Sequence, residues 1–146
     1  MITMKLKNNK ILIVDDDESH RLMLKAVLSD DSYEITEASD GKEAVALAEK
    51  IDYGLILMDI RMQEMSGIDA LKIIKARKPD IPVLLMTAYA SVKSAVEALK
   101  LGAIDYLTKP LDIQELKHAI TGAIAETKKE IVAEKIRSLL TRKAIK

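Results

Sequence analysis

Between Gly54 and Gly67 the chain runs Gly-Leu-Ile-Leu-Met-Asp-Ile-Arg-Met-Gln-Glu-Met-Ser-Gly, and this stretch restricts the fold most. Four apolar residues, Leu55 to Met58, run without alternation into a single carboxylate, Asp59. A strand with one wet face would alternate. An unbroken run fits a strand buried on both faces, as in a parallel sheet covered by helices on each side. Such a sheet places its ligands beyond the carboxyl ends of its strands. Asp59 would stand at that end.

The remaining chain repeats the pattern. Lys10–Val14 is a β-branched strand that runs into Asp15-Asp16-Asp17-Glu18. A helix follows from Ser19 to about Ser29, with Leu22, Met23, Ala26 and Val27 expected on its inner face and Asp17 or Ser19 as its cap. Asp30-Asp31-Ser32 would turn into a second strand, Tyr33–Ala38, and Ser39-Asp40-Gly41 into a second helix with Ala44, Val45, Leu47 and Ala48 inward. After Asp59, Ser66-Gly67 opens a helix near Ile68–Arg77, with Leu71 and Ile74 facing in. Val83–Met86 is a fourth strand ending at Thr87. A fourth helix, opened by Ala90-Ser91, carries Val92, Ala95, Val96 and Leu99 and closes at Gly102. Ile104–Thr108 is a fifth strand leading to Lys109-Pro110, and Asp112 caps a last helix. Five strands alternating with helices predict an open α/β sheet with helices on both faces.

Composition excludes several alternatives. A domain of this length buries enough surface to need no staple, and with no cysteine there is neither a disulfide nor a thiolate zinc site. Apolar runs such as Ile11–Val14 and Val83–Met86 fall far short of the ~20 residues of a membrane span. The first residues, Met-Ile-Thr-Met-Lys-Leu-Lys, lack the apolar core of a signal peptide. A cytoplasmic location without membrane association is the expectation. Net charge is zero, but residues 126–146 hold seven Lys/Arg against three Glu, so the first 125 are acidic. That balance, with no aromatic residue in the basic end, argues against direct nucleic-acid binding.

The polar residues gather where such a sheet does its chemistry. Strand one ends in Asp15 and Asp16, strand three in Asp59, strand four in Thr87 and strand five in Lys109. In a parallel sheet all five share one edge. Two carboxylates ~5 Å apart at an effective dielectric of ~20 repel by roughly 3 kcal/mol, so the group must shift its pKa values or take up a cation. Lys109 offsets one charge. Mg²⁺ suits the rest, because it binds through one or two carboxylates together with water and phosphate oxygens. An Asp in that setting can act as a nucleophile and become an aspartyl-phosphate. Singly, each residue has a plainer use as a helix cap, a turn residue or a solvated flank. Only the combination is specific. His20 and His118 are expected to be surface or boundary histidines outside this group, and the seven methionines adaptable core filler.

Four motifs in order, Val14-Asp15-Asp16, Leu57-Met58-Asp59 with Met62 and Gly67, Met86-Thr87-Ala88, and Asp105-Tyr106-Leu107-Thr108-Lys109-Pro110, resemble the receiver domain of two-component response regulators over about residues 9–125. The stretch from Thr87 to Pro110 resembles the nitrogen-regulation (NtrC-like) subfamily, whose receivers precede an ATPase that activates sigma-54 RNA polymerase and a DNA-binding domain. The resemblance implies a doubly wound, flavodoxin-like (CheY-like) sheet in the order 2-1-3-4-5. It implies that Asp59 accepts a phosphoryl group from a sensor histidine kinase. Asp16 would ligate Mg²⁺ directly, Asp15 through water, and Asp59 and the backbone carbonyl of Arg61 would complete the protein ligands. Thr87 with Ala88 would receive the phosphoryl oxygens, Lys109 would bridge to them, and Tyr106 would swing inward when Thr87 moves. Lys109-Pro110 would be cis. One departure stands out: Gln63 follows Met62 where the family usually has Pro, which would loosen the loop beside Asp59. Arg61 and Tyr89 would tune the lifetime of the phosphoryl group.

The expected organisation is an N-terminal extension over 1–8, a receiver over 9–125 and a helical linker over 126–146. No stop signal follows Ile120, and Leu116, Ile120, Ile124, Thr127, Ile131 and Leu139 would lie along one stripe. That stripe is either a short coiled coil joining a homodimer or the core face of an extended last helix. The output would be transcription through an ATPase beyond Lys146. The alternatives are a stand-alone receiver and a haloacid-dehalogenase-type phosphatase, for which Asp15-Asp16-Asp17 would be the nucleophile motif and the chain an enzyme.

Overall fold

The computed structural model describes residues 9–29, 33–89, 91–125 and 128–145; the side chains of 121–131, 134 and 143–145 are not described. Expectations for residues 1–8, for the turn at 30–32 and for Ala90 lie outside these. The strands are β1 (Lys10–Val14), β2 (Glu34–Ala38), β3 (Leu55–Asp59), β4 (Val83–Thr87) and β5 (Asp105–Thr108). The helices are α1 (Glu18–Leu28), α2 (Gly41–Lys50), α3 (Gly67–Arg77), α4 (Val92–Lys100), α5 (Ile113–Ala125) and α6 (Lys128–Ile145). All strand pairs are parallel, in the expected order β2-β1-β3-β4-β5.

The unbroken apolar strands are explained by two separate cores. Leu12, Val14, Ile56, Met58, Val83 and Leu85 point to one side, where α2, α3 and α4 supply Ala44, Ala48, Leu71, Ile74, Val96 and Leu99. Ile11, Ile13, Leu55, Leu57, Leu84 and Met86 point to the other, against Leu24 and Leu28 of α1 and Leu116 and Ile120 of α5. Every β3 residue is buried, so neither face tolerates a polar side chain until the strand ends. Helix starts are fixed locally. Asp17, Asp40, Ser66, Ser91 and Asp112 each accept a backbone N–H from the first turn of the following helix. At the end of α4, Gly102 at φ 113° and the bonds Gly102 N–H to Leu99 O and Ala103 N–H to Ala98 O form a Schellman turn.

Two expectations are corrected. On α1, Leu22 and Met23 are 54% and 37% exposed, while Leu24 and Leu28 are the buried pair. The helix is turned so that positions 20, 24, 27 and 28 face the sheet, with Leu24 and Leu28 fully buried and Val27 packed beside them. The tail also differs. Leu116 and Ile120 belong to the α1–α5 core, whereas Leu139 of α6 is buried in the opposite core, with Val132 and Ile136 packed against it. They do not form one stripe; Ile124, Thr127 and Ile131 fall among the side chains not described. The 132/136/139 spacing gives α6 its own apolar face, and α4 covers it.

Candidate functional site

The register carries the strand ends into line. Val14 pairs with Met58, Asp59 with Met86 and Thr87 with Thr108, so Asp15, Asp59, Thr87 and Lys109 emerge together at one edge. Gly67 secures the loop there. Its N–H donates to Ile60 O at 2.7 Å, and a Cβ at this position would lie 2.2 Å from Asp59 O. Only glycine allows α3 to start that close to the β3 backbone.

Asp15, Asp16 and Asp59 each bring a carboxylate oxygen within 4.8 Å of the others; Asp15 and Asp59 are buried and Asp16 is exposed. Lys109 Nζ donates to Asp15 Oδ2 at 2.8 Å and to Asp59 Oδ2 at 3.1 Å. Arg61 N–H donates to Asp59 Oδ1 at 3.3 Å, and its guanidinium lies 4.3 Å from the ring centre of exposed Tyr89. Thr87 is buried; its Oγ1 accepts the Tyr89 N–H at 3.0 Å, and its carbonyl accepts the Lys109 N–H at 2.8 Å. Ala88 is exposed beside it. The Lys109–Pro110 peptide is cis, as expected. All three cluster residues offer carboxylate oxygens, the donor set of a hard divalent cation.

The two buried acids are treated differently. Burial pushes the Asp15 carboxyl up, but the Lys109 ammonium, the Asp17 N–H and His20 outweigh it and hold it below its ordinary value. For Asp59 burial prevails over the bond to Lys109, and the charge of Asp15 adds to it, so its pKa is raised. Lys109 loses by burial and gains more from the two carboxylates, which raises its pKa and keeps it charged.

Tyr106 is half-buried on β5, with Lys135 Nζ 5.1 Å from its ring centre and 3.3 Å from Asp105 Oδ1. Sequence reasoning missed this contact from α6. It also misplaced one histidine. His118 is exposed, as expected, but His20 Nδ1 lies 2.5 Å from Asp15 Oδ2, so His20 belongs to the site. The signal was available in the phase of α1: His20 is one turn before Leu24 and two before Leu28, on the inward face.

Residues 11–121 match the response regulator receiver domain family. The chain is 50% identical over 120 residues to the transcriptional regulatory protein ZraR of Escherichia coli (strain K12), an alignment that covers 82% of this chain and 27% of ZraR. It spans about a quarter of that relative's length. Among solved structures it is similar to the beryllofluoride-activated NtrC4 receiver domain dimer, with a TM-score of 0.75 and 31% identity over 80% of this chain and 96% of that one. It is also similar to a chain of the CheX–CheY–BeF₃–Mg²⁺ complex from Borrelia burgdorferi, with a TM-score of 0.75 and 26% identity over 80% of this chain and 90% of that one. With its sheet order, its acidic cluster and this match over most of its length, the chain belongs to the response regulator receiver domain family.

Proposed function

We propose that this receiver is a phosphorylation-dependent switch with Asp59 as its phosphoacceptor. The carrying observation is the convergence of three carboxylates within 4.8 Å, two of them bridged by Lys109, at the ends of separate strands. An Asp59 oxygen forms the new bond to phosphorus while the nitrogen–phosphorus bond of a sensor kinase phosphohistidine breaks and its imidazole leaves. Asp15, Asp16, Asp59 and the Arg61 carbonyl would hold Mg²⁺, which when bound offsets the charge of the phosphoryl oxygens. Lys109, which bonds both Asp15 and Asp59, would pair with those oxygens. Thr87 Oγ1 accepts the Tyr89 N–H, so its own proton is left to donate to a phosphoryl oxygen. The inward turn of Tyr106 would then disturb Lys135 and the α4–α6 surface.

The chain is a signalling module rather than an enzyme. A dehalogenase-type role for Asp15-Asp16-Asp17 fits poorly, since Asp17 is engaged as the α1 cap and the Asp15 carboxylate accepts three hydrogen bonds. From the NtrC-like resemblance of residues 87–110 we infer an output ATPase with a DNA-binding domain, and from the likeness to the NtrC4 receiver domain dimer a homodimer. Any dimer contact through the apolar face of α6 requires that helix to leave α4. The test is incubation with Mg²⁺ and acetyl phosphate followed by intact mass. A single phosphoryl adduct that disappears in Asp59→Asn is expected; an adduct that persists in Asp59→Asn would overturn the assignment.

A further inference from the structure

Three donors hold the side chain of Asp15. Asp17 N–H reaches Oδ1 at 3.0 Å, while Lys109 Nζ at 2.8 Å and His20 Nδ1 at 2.5 Å both reach Oδ2. A carboxylate has about four acceptor positions, two on each oxygen. Both positions on Oδ2 are therefore taken, and the one left open is on Oδ1.

His20 is an expensive way to fill its place. Its ring lies on the inward face of α1, one turn before fully buried Leu24, and its Nε2 is buried without a partner. An unsatisfied buried polar atom is destabilising, a cost that a leucine at the same position would not carry. The bond to Asp15 is what the imidazole returns for that cost. Arg21, the next residue, donates from Nη1 to the Asp15 carbonyl at 2.6 Å, so the first turns of α1 hold both the backbone and the side chain of this acid.

We propose that His20 is a positioning residue for the cation site: its Nδ1–H pins Oδ2 of Asp15 and so turns Oδ1 toward the bound divalent ion. This rests on the Mg²⁺ reading above. Without that bond, only Lys109 restrains Oδ2, and Lys109 is shared with Asp59. With the Asp17 N–H on Oδ1 and only that shared ammonium on Oδ2, the carboxylate is held less firmly, and the site loses part of the preorganisation that an outer partner gives a ligand.

The test compares the whole chain with His20→Leu and His20→Asn. Leucine keeps the apolar bulk without the donor, and the Asn amide nitrogen stands near the place of Nδ1. Mg²⁺ affinity is measured by following amide resonances during a titration with the ion. It is measured again as the rise in unfolding midpoint that Mg²⁺ causes in each variant, which cancels differences in metal-free stability. Leucine should weaken Mg²⁺ binding about tenfold, the lower end of losses seen for outer-shell partners, and asparagine should restore most of it. Unchanged affinity in His20→Leu overturns the proposal. So does His20→Asn binding as weakly as His20→Leu, because the ring would then act only by packing. If the native chain takes up no Mg²⁺ yet is phosphorylated on Asp59, positioning falls and the phosphoacceptor stands. If Mg²⁺ binds with the expected His20 dependence but Asp59 is never modified, positioning stands and the phosphoacceptor falls.

Discussion

Replacing Lys109 with methionine keeps the length of the side chain and removes the one ammonium bonded to both buried acids. At an effective dielectric of ~20, the 2.8 and 3.1 Å contacts correspond to attractions of about 6 and 5 kcal/mol, and carboxylate oxygens within 4.8 Å repel by at least about 3.5 kcal/mol. Taking each ion out of water costs several kcal/mol, so the intact triad is close to balanced. Methionine removes both attractions and the desolvation of the ammonium but leaves two carboxylates facing each other. Losing one partner of a buried pair costs about 3–5 kcal/mol; Lys109 is 19% exposed, and water screening brings the expected loss to about 2–3 kcal/mol. Urea unfolding at neutral pH with a chelator present should show the midpoint falling by roughly 1 M, given a slope near 2 kcal/mol/M. Saturating Mg²⁺ should return most of the loss through binding to the folded chain. Adding Asp59→Asn should do the same by removing one of the repelling charges. If Lys109→Met is as stable as the native chain without metal, or if Asp59→Asn gives no recovery, the charge balance described here is wrong.

Two further outcomes follow from the same geometry. Asp59 has a raised pKa, so between its unfolded and folded values the native state binds more protons than the unfolded one. Stability should therefore fall as pH rises through that window above the ordinary carboxylate value, and Asp59→Asn should flatten that arm of the profile. Asp15 works in the opposite sense: its lowered pKa adds stability above its unfolded value that is lost as pH falls through the folded one. Urea midpoints across pH, in chelator, check both; an unchanged profile in Asp59→Asn refutes the assignment. For α6, Leu139→Ala removes a side chain that is 1% exposed, a change worth about 2–5 kcal/mol in a full core. Here the expected result is local. Hydrogen exchange should speed up along α6 and α4 while β1 and β3 stay protected, and equal loss throughout the domain would show that α6 is not a separate unit.

The parallel sheet was legible because β1, β3 and β4 carry unbroken apolar runs that only burial on both faces explains, each ending in a polar residue. The site followed from those same endings, since a parallel sheet collects its carboxyl ends on one edge. The face of α1 was not legible in the same way. Four apolar residues at 22, 23, 26 and 27 make as good a helical stripe as 24, 27 and 28, and the choice depends on how deep each side chain reaches into the opposite surface. His20 was lost with that choice, because a polar residue on a helix gives no sign of facing a buried acid until the phase is known. For α6, the apolar spacing in the chain is the same whether the face meets a second copy or folds back. Here α4 packs on α6, and Val92 and Val96 share one core with Val132, Ile136 and Leu139, a long-range complementarity that periodicity does not record.

The three acids divide one task by the number of donors each has. Asp15 is buried, accepts three hydrogen bonds on its carboxylate and is held anionic, so it is a fixed charge with little freedom to react. Asp59 is also buried but, among the described residues, accepts the long Arg61 N–H bond and a share of Lys109, and its pKa moves the other way. An oxygen with fewer donors keeps more of its electron density for an incoming electrophile. Asp16 is exposed and can adjust to whatever the buried pair admits. On the proposal that Asp59 is the phosphoacceptor, the fold leaves that acid less engaged by occupying three acceptor positions of its neighbour, and one of those three donors, His20, is contributed by a helix rather than by a strand end.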